Sequence, residues 1–104
     1  MGSTKGYLEY VLEQLSGLED VTHRAMMGEY IIYFKGKVIG GIYDDRFLVK
    51  PTASAKKLMP DAPLELPYEG AKKMLLVTKL DDREFLERLL NSMVEELPAP
   101  KKRK

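Results

Sequence analysis

The run Tyr30-Ile31-Ile32-Tyr33-Phe34 constrains this chain more than any other segment. Five consecutive β-branched and aromatic residues predict a strand, because such side chains fit a pleated surface and lose rotamer freedom in a helical turn. Lys35-Gly36-Lys37 then reads as a hairpin turn, with Gly36 free to take positive φ, and Val38 to Tyr43 returns as the partner strand. Both faces of this hairpin are apolar. Tyr30, Ile32 and Phe34 alternate with Ile31 and Tyr33, and Val38 and Ile42 against Ile39 and Tyr43 repeat the pattern. Such a hairpin belongs inside a sheet and has apolar surface to bury on each side. Gly40-Gly41 within it predicts a bulge or a close approach of backbones rather than a phosphate loop, since no G-x-G-x-x-G or P-loop pattern is present.

The flanking segments supply the rest of that sheet. Leu8, Val11, Leu12 and Leu15 recur at helical spacing, which predicts a helix from Thr4 to Leu15, capped by Ser3 or Thr4 and ended by a left-handed Gly17. Val21 to Met26 reads as a strand that breaks at Met27-Gly28. Asp44-Asp45 makes a turn into the strand Arg46 to Lys50. Thr52 can cap a short helix over Ala53 to Met59, which Pro60 stops. Asp61 to Gly70, with Pro63 and Pro67, reads as loop, and Lys73 to Thr78 as a last strand. Asp81 with Glu84 three residues on suggests a capping box, and Leu80 with Phe85 a hydrophobic staple. Phe85, Leu86, Leu89, Leu90, Met93, Val94 and Leu97 give the final helix a wide apolar face. The order α-β-β-β-β-α-β-α predicts an α+β fold of two layers, an antiparallel sheet of about five strands with three helices on one face. Residues 1–97 form a single domain in this reading, and residues 98–104 a disordered basic tail.

Composition then narrows the chemistry. With 104 residues the chain is long enough for one core without a staple. It has no cysteine and one histidine, which excludes disulfide scaffolds, thiolate metal sites and cysteine nucleophiles. The formal charge of +1 hides a mildly acidic body, because four of the 17 basic residues are Lys101 to Lys104. No apolar run approaches the length of a membrane span, and the N-terminus lacks the pattern of a signal peptide, so a cytoplasmic protein is expected. His23 with Asp44 or Asp45 is the one constellation that could do acid–base work. The plainer reading is a strand histidine and two turn formers, and Asp81-Asp82 is a helix cap. No catalytic residue, metal ligand or cofactor is expected.

Binding is the better-supported class. Six tyrosines stand beside three phenylalanines and no tryptophan, with Tyr30, Tyr33 and Tyr43 on the strands and Tyr68 in the loop. Tyrosine suits surfaces that are half apolar and half wet. Three helices of about 10 Å diameter cover one face of a five-strand sheet and leave the other apolar. That face is expected to meet a protein partner, a second copy of the chain included. The alternative is a small nucleic-acid-associated regulator using Arg24, Arg46, Lys50 and the basic tail, provided that these converge on one face.

Arg24-Ala25-Met26-Met27-Gly28-Glu29-Tyr30, Tyr33-Phe34-Lys35-Gly36-Lys37-Val38-Ile39-Gly40-Gly41-Ile42 and Arg46-Phe47-Leu48-Val49-Lys50 together resemble the N-terminal domain of the TfoX/Sxy family. Pro67-Tyr68-Glu69-Gly70, Met74 and the capped last helix fit the same pattern, which spans about residues 7–97. Met27 and Glu29 depart from it, standing where the family often has phenylalanine and glycine. The best-known members carry a second, C-terminal domain, whereas a single domain is expected here. The resemblance implies a two-layer α+β fold and a bacterial regulatory or interaction module, linked in those members to competence for DNA uptake. It brings no catalytic residues. The pattern residues are Arg24, Gly28, Tyr30, Gly36, Lys50, Tyr68 and Gly70.

Overall fold

The computed structural model describes residues 4–97. The expectation of a disordered tail at 98–104 lies outside these residues. Helix α1 (Lys5–Gln14) leads into the strands β1 (Val21–Met26), β2 (Glu29–Phe34), β3 (Lys37–Ile42) and β4 (Phe47–Val49). Then follow α2 (Ala53–Leu58), β5 (Leu64–Glu65), β6 (Met74–Leu76) and α3 (Arg83–Val94). The strands form one antiparallel sheet in the order β1-β2-β3-β4-β6-β5. The α+β architecture is as expected, with six strands where about five were predicted. The extra strand lies inside the segment read as loop. Leu64 pairs with Leu75 and Glu65 with Met74, and the Pro63 carbonyl accepts from the Leu76 amide at 3.0 Å. Two residues after a proline are too short to show an alternating pattern, so tertiary pairing alone makes them a strand.

The meander is built on two-residue turns. Met26 pairs with Glu29 across Met27-Gly28, and Phe34 with Lys37 across Lys35-Gly36. Tyr43 and Arg46 exchange both backbone bonds across Asp44-Asp45. Both central residues have positive φ in all three, from 54° to 85°. This mirror-image turn matches the right-handed twist of the strands it joins. Glycine takes the second position twice at no steric cost, and aspartate tolerates the left-handed region at Asp44-Asp45. The bulge falls one residue before the glycine pair. Ile32 pairs with Gly40 and Tyr33 with Val38, so Ile39 is the extra residue, and it is fully buried.

Two details of the helix ends differ from expectation. Asp82, not Asp81, caps α3, with its carboxylate accepting from the Phe85 amide at 3.0 Å. The Asp82 amide turns back to the Lys79 carbonyl, which takes up Asp81 in a turn before the helix begins. Glu84 is therefore one position too early for a capping box, although it still lies in the first turn, where the helix dipole favours a carboxylate. Helix α1 ends at Leu15, whose amide is shared between the Val11 and Leu12 carbonyls. Gly17 stays out of the left-handed region, and the left-handed residue before β1 is Asp20 (φ 67°). Thr4 caps α1 and Thr52 caps α2, as read from the sequence.

All three helices lie on one face. Leu8, Val11 and Leu15 of α1 and its end, Ala55 of α2, and Leu86, Leu89, Leu90, Met93 and Val94 of α3 form a single core. They share it with Ile32, Phe34, Ile42, Phe47, Val49 and Leu75. Polar latches tie this layer down. Lys37 Nζ donates to the Val94 carbonyl at 2.9 Å, and the Glu96 carboxylate accepts from the Ser54 hydroxyl and amide. Those bonds hold the Glu96 carboxyl below the usual glutamate range. Among the described residues no helix is long and apolar enough to cross a membrane.

Candidate docking surface

The sheet face away from the helices carries the side chains left over by this packing. Register places Ile31, Tyr33, Val38, Gly41, Tyr43, Leu48 and Lys50 there, because residues paired across an antiparallel ladder share a face. The sequence reading leaves this face open, and the structure corrects it in part. Leu48 is 0% and Tyr43 8% exposed although neither belongs to the helix-side core. The segment 66–73 folds back against Tyr43, with Pro67 buried and Tyr68 56% exposed. One turn of chain after β5 can do this because β5 and β6 are antiparallel neighbours at the sheet edge.

Tyr43 and Tyr68 pack against each other on this face, with ring centroids 6.0 Å apart and planes tilted by 54°. Gly41 makes this possible. A Cβ there would sit 2.7 Å from the Tyr43 ring, so only a bare backbone lets the ring lie flat on the strand. Burial raises the Tyr43 phenol above its ordinary value, with further contributions from Tyr68, Glu29 and Tyr33.

Two clefts flank the tyrosine pair. On one side Val38, Pro51, Ala71 and Met74 line a cleft of about 360 Å³ together with Lys50, Lys72 and Lys73. On the other side Met26, Met27 and Glu29 line a cleft with the same two tyrosines, and Asp44, Glu69 and Leu66 continue the groove. Met27 is 95% exposed and left-handed at φ 54°. A methionine gains no burial here and bears a conformational cost of about 1 kcal/mol that glycine would not. Met27→Gly is therefore expected to stabilise the fold by about 0.5–1 kcal/mol in urea unfolding. A destabilised variant would mean that the Met27 side chain does structural work.

The sequence-predicted residues divide in this frame. Tyr33, Tyr43, Lys50 and Tyr68 come together on the face. Tyr30 lies on the helix side, packed against the core. Arg24 lies opposite Ile31 on the exposed edge strand β1, three strands away from Lys50. Arg46 is occupied by Glu65 at 2.7 Å and by the carbonyls of Tyr43 and Leu66. By the same register Arg24 and Arg46 share this sheet face with Lys50, but Arg24 stands three strands away and Arg46 is paired with Glu65, so the three do not form one basic patch. His23 lies on β1 with its ring edge-on to Tyr30 at 6.3 Å, and it lines none of the best-formed clefts among the described residues. Asp44 and Asp45 are turn residues, and Asp45 Oδ1 accepts from the Thr4 amide at 2.8 Å. Among the described residues no group of three His, Asp or Glu could hold a metal ion. Sequence reasoning missed Lys72, Lys73, Glu29 and Glu69 as site residues, because only folding brings them beside Lys50 and Asp44.

The TfoX N-terminal domain family matches residues 13–95. A protein of Spirochaeta aurantia, named an uncharacterized 12.7 kDa protein in the trpE 5′ region, is 31% identical over 105 residues. That alignment covers 100% of this chain and 91% of the relative. No solved structure gives a significant match.

Proposed function

The chain belongs to the TfoX N-terminal domain family, and from that premise we propose that it is a non-enzymatic bacterial regulatory module acting by protein–protein contact. Docking takes place on the face built around Tyr43 and Tyr68. The observation that carries this reading is Met27. It is fully presented to solvent on a turn that glycine would serve better, beside Met26, Tyr43 and Tyr68. Exposed apolar side chains gathered at one place, on a backbone that bears a cost to present them, are characteristic of interaction surfaces. Methionine adapts to an irregular partner, and tyrosine adds apolar area with a polar tip.

The nucleic-acid alternative has less support. Arg46 is neutralised by Glu65, Arg24 lies three strands from Lys50, and the cleft with Lys50, Lys72 and Lys73 adjoins a groove lined by carboxylates. Phosphate binding depends on an uninterrupted positive surface. Affinity capture from the native host, comparing the wild-type chain with Tyr68→Ala and Met27→Gly, tests the docking reading. Both positions are exposed, so both variants are expected to fold. Proteins recovered by the wild type should be lost or strongly reduced with each variant. An identical set recovered by all three would end the assignment to this face.

A further inference from the structure

The docking face is charged in a segregated way. Lys50, Lys72 and Lys73 gather on one side of the Tyr43–Tyr68 pair, and Glu29, Asp44 and Glu69 on the other. The three lysines form no ion pair among the described residues, and neither do Asp44 and Glu69. Arg46, which also borders the acidic groove, is held by Glu65 and leaves that balance unchanged. Lys50 follows β4 and Asp44 lies in the turn before it, so the two charge groups stand toward opposite ends of that strand.

We propose that the occupant of this face is a second copy of the chain, placed by a two-fold axis that passes near Tyr43 and Tyr68. The proposal rests on the docking reading and names its partner. A two-fold axis at the centre of such a face lays the lysines of each protomer on the carboxylates of the other, and stacks the tyrosines between them. In a contact of this type each patch meets its complement twice. Other occupants fit less well. A nucleic acid or an anionic membrane would be attracted by one half and repelled by the other. An unrelated protein would need the same opposed charges at the same spacing, which symmetry supplies without further coincidence. The molecule measures 40 × 30 × 28 Å, so a face of it can bury roughly the 800 Å² per partner of a standard interface. The mildly acidic body opposes association only weakly, because separations beyond about 10 Å are screened at ordinary ionic strength.

Sedimentation velocity on the whole chain tests this with two charge variants. One is Lys72→Glu with Lys73→Glu, and the other is Asp44→Asn with Glu69→Lys. Asn keeps the left-handed preference that the turn at Asp44 needs. The wild type should be dimeric at about 100 μM, and high salt should weaken the dimer. The lysine variant should set carboxylate against carboxylate twice, the other should lose twice the negative charge that the lysines meet, and each should dissociate about tenfold or more easily. The two variants mixed in equal amounts should recover a heterodimer, because the swapped patches again meet their opposites. Circular dichroism checks that each variant is folded. A wild-type chain that stays monomeric at about 1 mM overturns the proposal, as does a dimer indifferent to both swaps, or a mixture that fails to recover. A monomeric wild type whose Tyr68-dependent capture persists would sink the second copy alone and leave the docking face standing.

Discussion

Phe47→Ala should cost about 3–5 kcal/mol in urea unfolding, the largest effect of any single truncation here. Phe47 is fully buried at the start of β4, paired with Ile42 and enclosed by the helix-side core. Its carbonyl accepts from the Val77 amide at 3.0 Å, so the backbone is held on both sides and cannot collapse into the space left behind. A cavity that cannot relax adds its own cost to the lost transfer energy. Domains of this size have about 5–15 kcal/mol in total, so the variant should be near its unfolding midpoint under mild conditions. A loss below about 1.5 kcal/mol would mean that β4 is free to shift and that the core is not the single packed unit described above.

Gly40→Ala is the second, with an expected loss of about 3 kcal/mol. A Cβ at Gly40 would overlap the Leu48 carbonyl oxygen and lie 2.7 Å from Val49 Cα. These are backbone atoms of the adjacent strand, which no rotamer change can move aside. The bulge at Ile39 brings β3 this close to β4. Gly6→Ala is the internal control, since nothing lies within 4 Å of a Cβ there and alanine is the better helix residue by about 1 kcal/mol. Equal effects at the two positions would show that the close approach of β3 and β4 does not hold in solution.

The meander could be read because its information is local. Tyr30 to Phe34 has side chains that only a strand accommodates, and the turns at Gly28, Gly36 and Asp44-Asp45 contain residues that tolerate positive φ. Caps at Thr4 and Thr52 were legible for the same reason, as each bonds three residues away. The one-residue error at Asp81 arose because two adjacent aspartates are equivalent locally, and the turn from Lys79 chooses between them.

What the chain alone determined is the order of its elements, their turns and the absence of cysteine chemistry, since these depend on neighbours within a few positions. Tertiary structure decided the rest. Leu64-Glu65 became a strand because β6 was there to pair with, Pro67 and Tyr68 covered a face that the hydrophobic pattern leaves bare, and Lys50 met Lys72 and Lys73 across more than 20 intervening residues. Two clefts of opposite charge around one pair of tyrosines are properties of distance in space, and spacing in the sequence does not encode distance in space once the chain turns back on itself.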